Sequence, residues 1–429
     1  LKEKLQVGVL GFGTVGSGVV HILEEHKSKI SQVTGYEIAI KTVLVRDLEK
    51  KRRHETTGSI KLTTDPDEVL EDPEIGVVVE VMGSITTARE YILRALKAGK
   101  QVVTANKDLI ALHGDELVTA AQENQCDLFY EASVAGGVPI LRTIVNSLAA
   151  DKIKKVMGIV NGTTNFMLTK MATEQKTYEE ALLEAQNLGF AEADPTNDVD
   201  GIDAAYKMVI LTRLAFGMNV RLDDVKVAGI RGISPQDVVI SDQLGYQVKL
   251  VGLAEERDET VSVHVGPALL AKAHPLAGVN HENNAVFITG AAVGETMFYG
   301  PGAGKGPTAI SVVSDLIIAA KNIRLGTTGN AFNNFKHETK YTPDEQIFSK
   351  YYLRLKMNDK TGTFLKLTQI FAEAGVGFDK ILQKPFDEYT ATVVIITHVT
   401  SKAQLEKALK RTKQEPEIKL ITNYSVVEV

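Results

Sequence analysis

The chain has 429 residues, too many for one hydrophobic core, and is expected to divide into two or three domains. Hydrophobic residues at 44% and charged residues at 24% lie close to average usage, which excludes disordered and fibrous architectures. A net charge of −6, with no basic block interleaved with aromatics, argues against nucleic acid as the main partner. The single cysteine, Cys126, rules out an internal disulfide and points to a reducing compartment, the cytoplasm. No run of 18 apolar residues occurs, and LKEKLQVGVL passes straight into a strand, so neither a membrane span nor a signal peptide is expected.

Over residues 1–130, short β-branched runs alternate with helical periods, the pattern of a parallel sheet covered by helices. LQVGVL, IAIKTVLV, IGVVVEVM, QVVTA and CDLFYEA are the expected strands. Helices are expected over Val15–Glu25 and Thr86–Ala98, the second stopped by Gly99. GFGTVG, Gly11 to Gly16, follows the first strand and opens a helix, the context that a dinucleotide fingerprint requires. Gly11 permits the tight turn, Gly13 lets backbone N–H groups approach a pyrophosphate, and Gly16 lets the helix pack on the strand. The bland alternative is a glycine-rich turn with no ligand. At the end of the next strand, NAD sites place an acid and NADP sites an arginine, and here Arg46 is followed by Asp47. Lys50, Lys51, Arg52 and Arg53 come next, a cluster that would attract a 2′-phosphate or else form a solvated surface. The reading favours NADP(H) over NAD(H).

The fourth expected strand ends in TANK, which sets Thr104 and Lys107 at the carboxyl edge of the sheet, where doubly wound folds bind ligands. Lys107 is either a site lysine beside the nicotinamide or a solvated loop residue. After the fifth strand, EASVAGGVPI sets Glu131 ahead of a Gly136–Gly137 turn and Pro139. A carboxylate beside carbonyl oxygens freed by such a turn suits a hard cation; the alternative is a plain turn between domains.

From about Asp151 the pattern becomes α+β: a strand over Ile153–Val160, a helix over Thr177–Leu188 with a Thr177/Glu180 capping box and Gly189 as its stop, then an apolar helix, then strands up to Phe298. The apolar helix carries Asp203 and Lys207 four residues apart, on a face continued by Ile210, Leu211 and Leu214. Lys and Asp are rarely buried unless paired, and a desolvated lysine is a common proton donor, although an ordinary helix ion pair has the same spacing. A helix over Thr308–Asn322 follows, and the polar stretch 326–347 reads as a linker.

Taken together, GFGTVG, TANK, EASVAGGVPI, the NGTTN loop at Asn161–Asn165, GFAEADP with DGIDAAYK, and the late loop GPGAGKGPTA resemble homoserine dehydrogenases over nearly the whole chain. The resemblance implies a Rossmann-type doubly wound domain at 1–130, an α+β catalytic and dimerisation domain at 131–325, and NAD(P)H-dependent reduction of L-aspartate 4-semialdehyde to L-homoserine. By the same resemblance Lys207 is the proton donor and Lys107 lies near cofactor and substrate. Glu192 and Asp203 hold the substrate ammonium or orient Lys207, with Gly189 and Asp198 as further substrate-side candidates. Phe12, Gly13, Thr14 and Val15 would contact the cofactor with Gly11, Gly16, Arg46 and Thr104, and Gly304 would approach it from the other domain. Glu131, with backbone oxygens of Val134, Gly136 and Val138, resembles the family's site for a monovalent cation, Na+ or K+. A homodimer or higher homo-oligomer is implied.

The tail at 348–429 begins with the strand YYLRLKMND, the turn DKTG and a helix over Thr363–Ala374, and resembles a βαββαβ ACT domain. Such modules commonly bind amino acids, here at Asn358–Gly362, with threonine as the natural candidate; a dimerisation module without ligand is the alternative. Three other readings of the chain stand beside the dehydrogenase: a different aldehyde reductase of the same fold, a non-enzymatic NADP(H) and amino-acid sensor, and a phosphorylating enzyme with a thiolate nucleophile, for which only Cys126 could serve.

Overall fold

The computed structural model describes residues 3–49, 60–330, 332 and 336–428, so the basic run Lys50–Arg53 lies outside the described residues. Two compact units emerge, one of Leu1–Val156, Tyr206–Val225 and Asn284–Glu338, the other of Met157–Ala205, Lys226–Asn283 and Thr339–Val429.

The first unit is built on β1 (Glu3–Leu10), α1 (Thr14–Glu25), α2 (Lys27–Thr34), β2 (Tyr36–Leu44), β3 (Lys61–Thr63), α3 (Asp67–Leu70), β4 (Ile75–Glu80), α4 (Thr86–Lys97), β5 (Gln101–Thr104), α5 (Lys107–Glu123) and β6 (Leu128–Phe129). All six strands are parallel, in the order β3-β2-β1-β4-β5-β6. This is the doubly wound dinucleotide-binding order, with its crevice where the winding reverses between β1 and β4. The inner strands are apolar on both faces because helices cover both: every residue of β5 is buried and all but one of β4. The expected strand CDLFYEA shrinks to Leu128–Phe129, since Asp127 turns its carboxylate to Asn322 Nδ2 (2.7 Å) and the Gly329 amide (2.8 Å). The three-residue β3 escaped notice in the sequence, so the strand ending in TANK is the fifth.

The chain continues through β7 (Ile153–Ile159), α6 (Gly162–Glu174), α7 (Tyr178–Asn187), α8 (Thr196–Val199), α9 (Ile202–Phe216), β8 (Lys226–Val227), α10 (Pro235–Gln243), β9 (Tyr246–Arg257), β10 (Thr260–Ala271), β11 (Asn283–Gly290), β12 (Gly294–Pro301) and α11 (Lys305–Leu325). NGTTN is not a loop: Asn161 caps α6, accepting from the Thr164 amide, and the other four residues form its first turn. The capping box of α7 is present as read, with Thr177 and Glu180 exchanging hydrogen bonds. In the first unit, α11 starts three residues earlier than expected and lies against α1 at Gly18, where a Cβ would crowd Ala309 and the Lys305 carbonyl.

The tail folds as β13 (Phe348–Asn358), α12 (Thr363–Glu373), β14 (Phe378–Pro385), β15 (Thr390–Thr397), the two-residue β16 (Thr400–Ser401), α13 (Lys402–Thr412) and β17 (Ile418–Val427). Its antiparallel order β17-β13-β15-β14 extends through β17, parallel to β10, into the β9/β10 hairpin of the same unit. Strand alternation explains β13. Leu353, Leu355 and Met357 join Leu367 and Phe371 of α12 and Leu405 and Ala408 of α13 in one core. Tyr352 and Arg354 point to the other face, where α10 covers them and Asp237 receives both. Among the described residues no helix is long and apolar enough to cross a membrane.

Candidate functional site

The first unit holds a cleft of about 860 Å³ beyond the carboxyl ends of β1 and β2, within the roughly 300–1,000 Å³ usual for small-molecule sites. Gly11, Phe12, Gly13, Thr14 and Arg46 line it. Gly11 adopts φ +105°, and a Cβ there would press on the Val81 carbonyl oxygen. A Cβ on Gly16 would overlap the Gly11 carbonyl oxygen, so the turn closes only with glycine at both places. At Gly13 a Cβ would meet nothing, and no side chain caps α1, so its first amides face open space ready for an anion. These residues fit a dinucleotide. Val15 and Gly16 sit in the first turn of α1 behind the lining. Gly304, at φ +115°, is the N-cap of α11, in the same unit as the fingerprint, and the next residue, Lys305, lines the cleft. Lys305 was missed, although a glycine loop running into a lysine at a helix start was visible in GPGAGKGPTA.

At the sheet edge beside this cleft, Glu80 is fully buried and accepts from the Met82 amide (2.7 Å) and the Thr104 hydroxyl (2.6 Å), while burial raises its carboxyl above the usual range. Thr104 is thus committed inside the protein, and its hydroxyl also accepts from the Asn106 amide, which leads into α5. Asn106 caps α5 and Lys107 is its first residue, 34% exposed, with Nζ 3.7 Å from Asp108. Arg213 of α9 donates to the Ile110 carbonyl of α5 at 3.1 Å, and just past the end of α9 the Asn219 amide donates to Asp115 of α5. Tyr206, raised by burial, is within electrostatic reach of Asp108 and Lys107. The pairings 107–206, 110–213 and 115–219 rise together, so the helices run parallel and Lys107 and Lys207 lie at the same end. Lys207 is half-buried rather than enclosed, because helical periodicity fixes the face a residue occupies but not the depth of its end.

Glu131 is fully buried, and its carboxylate accepts from the amides of Leu141 (2.9 Å) and Arg142 (2.8 Å) and from Arg142 Nε (3.2 Å), a guanidinium eleven residues on. Of the nearby main-chain oxygens, that of Gly136 accepts from the Ser311 hydroxyl (2.7 Å) and that of Val138 from the Ile140 amide (2.9 Å), each keeping a second lone pair, and Val134 is buried. Among the described residues no group of three or more His, Cys, Asp or Glu is placed to hold a metal.

Asp315 shares this cluster, accepting from the Glu131 amide (3.0 Å) and lying 3.4 Å from Arg142. Burial pushes its carboxyl up to about 8, against the pull of Arg142 and with the push of Glu131. Between pH 4 and 8 the folded protein keeps a proton that the unfolded chain releases. Stability from this site therefore falls with rising pH, by at most ~1.4 kcal/mol per unit. Asp315→Asn is expected to gain on the parent protein as pH rises from 5 to 8 in thermal melts; parallel curves would show an ionised Asp315.

In the second unit, Asp203 is 8% exposed and its Oδ2 accepts from Asn161 Nδ2 at 2.8 Å. The same nitrogen donates to Asp198 Oδ1 at 2.7 Å. Asp203 and Asp198 are therefore brought together through Asn161. Gly189, at φ +77°, ends α7, and Glu192 lies exposed in the loop beyond, with its carbonyl taken by Gln186. Cys126 is buried and its thiol pushed up to about 11 by burial, which removes the thiolate chemistry.

Three family models match the chain: "Homoserine dehydrogenase, NAD binding domain" over residues 11–131, "Homoserine dehydrogenase" over 139–317 and "ACT domain" over 351–417. The chain is 52% identical to homoserine dehydrogenase of Bacillus subtilis over 95% of its own length and 94% of the relative's. It is similar to the crystal structure of a homoserine dehydrogenase from Thiobacillus denitrificans, with TM-score 0.94, 35% identity and 99% of each chain covered. It is also similar to a hyperthermophilic archaeal homoserine dehydrogenase in complex with NADPH, with TM-score 0.62 and 30% identity over 74% of this chain and 97% of that one. With the doubly wound sheet, the glycine cleft and the tail all matched, the chain belongs to the homoserine dehydrogenase family, NAD(P)-dependent oxidoreductases acting on a CH–OH group.

Proposed function

We propose that the chain interconverts L-aspartate 4-semialdehyde and L-homoserine, running toward homoserine for threonine and methionine biosynthesis in the cytoplasm, with Lys207 as the proton donor. The observation that carries this is the parallel pairing of α5 with α9, which sets Lys107 and Lys207 at one end, next to the carboxyl edge of the sheet. NAD(P)H, when bound, supplies the hydride. Lys207 stabilises the negative charge growing on the aldehyde oxygen and passes it a proton. Lys107 adds positive charge at that end, and Glu192 with Asp203 holds the substrate ammonium or orients Lys207. The amides of Phe12 to Val15 take the pyrophosphate, and Gly304 leaves room for the dinucleotide. Arg46, exposed at the rim, takes a 2′-phosphate, which favours NADP(H); the relative solved with NADPH is in keeping with this. A monovalent cation, Na+ or K+, would be held by Glu131 with backbone oxygens of Val134, Gly136 and Val138. The tail takes threonine at Asn358–Gly362, and the protein works as a homo-oligomer.

Loss of near-ultraviolet absorbance of NADPH with L-aspartate 4-semialdehyde tests the reading, run beside NADH and with added threonine. Faster oxidation of NADPH, slowed by threonine, is expected. Equal rates with both cofactors would remove the role given to Arg46, and indifference to threonine would remove the role given to the tail.

A further inference from the structure

Asn161 was read in the sequence only as part of a motif, yet its side chain is the most constrained polar group around the candidate acids. It is 4% exposed. Its Oδ1 accepts from the Thr164 amide (2.8 Å) and the Thr164 hydroxyl (2.8 Å) as the cap of α6, which fixes which end of the amide is oxygen. Nδ2 must therefore face the other way, and its two protons go one to Asp198 (2.7 Å) and one to Asp203 (2.8 Å). Few side chains can cap a helix with one end and donate to two carboxylates with the other. The helix start is itself anchored. Asn165 donates to the carbonyls of Val279 (3.2 Å) and Asn283 (3.1 Å) and accepts from Lys249 Nζ (3.2 Å), a fully buried lysine whose amine burial lowers to about 8.

We propose that Asn161 is a positioning residue for the reaction: anchored by α6, it holds the carboxylates of Asp203 and Asp198 side by side and so fixes how Asp203 is presented. The proposal rests on the reading of Asp203 as a site residue. The two carboxylates share one amide donor, so removing it takes a hydrogen bond from each, and losing a bond to its charged form raises a carboxyl's affinity for protons.

The test uses Asn161→Ser and Asn161→Asp in the full chain, because both residues cap a helix well and the fold can be checked by thermal melting. L-homoserine oxidation is followed with NADP+, and NADPH affinity is measured by fluorescence. Asn161→Ser is expected to keep NADPH affinity, lose on the order of a hundredfold in kcat/KM for homoserine, and move the acid limb of the pH profile upward. Asn161→Asp is expected to lose more at pH 8 and to recover part of it as pH falls, when a proton on the third acid restores a donor. Parent kcat/KM with an unmoved acid limb in either folded variant overturns the proposal. Asp203→Asn, measured alongside, separates the causes: a loss there with silent Asn161 variants overturns this inference alone, and parent activity in Asp203→Asn overturns the underlying reading with it.

Discussion

Alanine at Lys207 is expected to lower kcat by about 10²- to 10⁴-fold, the range for losing a positioned general acid, with NADPH affinity and melting temperature held. The physical case is local. α9 is buried along most of its length, Asp203 is enclosed one turn earlier, and Lys207 is half-buried at the end that faces the start of α5. Because that amine is not a core group, its removal opens no cavity, and the fold is not expected to suffer. Lys207→Arg keeps the charge but cannot give up a proton near neutral pH, so it is expected to restore substrate affinity better than turnover. Near-parent kcat in Lys207→Ala would return Lys207 to the status of an ordinary helix ion pair and shift the search for the acid to Lys107.

Arg354→Met is expected to produce the largest loss of stability, about 3–5 kcal/mol, the usual result of breaking one side of a buried ion pair. Asp237 is fully buried and takes Arg354 at both oxygens, through Nε at 2.6 Å and Nη2 at 2.8 Å. It also closes the capping box of α10, accepting from the Ser234 amide at 3.1 Å and hydroxyl at 2.7 Å, and it receives the Tyr352 hydroxyl at 3.2 Å. Without the guanidinium, the carboxylate keeps its neutral donors but not its countercharge. Replacing both partners, as Asp237→Leu with Arg354→Met, is expected to cost less than the sum of the single changes, since no buried charge is then left alone. Urea unfolding of the four proteins reads this directly. Additive losses would show that the two side chains act independently.

The framework of the first unit was readable because central parallel strands are unbroken apolar runs: IGVVVE and QVVT announce themselves as β4 and β5. A three-residue edge strand such as Lys61–Thr63 carries too few residues to show a period, and it was missed. The start of α6 was taken for a loop because Gly-Thr-Thr-Asn is poor in helix formers; side-chain hydrogen bonds and packing outweigh propensity there. Gly11 and Gly16 of the fingerprint could be assigned from sequence, since each answers to a backbone demand of the turn itself. The partners of Glu131 could not be read, because Arg142 and Asp315 come from eleven and 184 residues away, and sequence shows a carboxylate but not what it faces. The spacing of Asp203 and Lys207 could be read on one helix, whereas the amide that joins Asp203 to Asp198 comes from the start of a different helix.

β17 lies as a slat between β10 and β13, parallel to one and antiparallel to the other. During synthesis, the hairpin strand and the tail strand therefore wait for each other until residues 418–427 leave the ribosome, which makes closure of the second unit a late event between segments distant in sequence. Until then two apolar strand edges stand open, and a fragment stopping before Ile418 would keep them so, inviting strand addition by other chains.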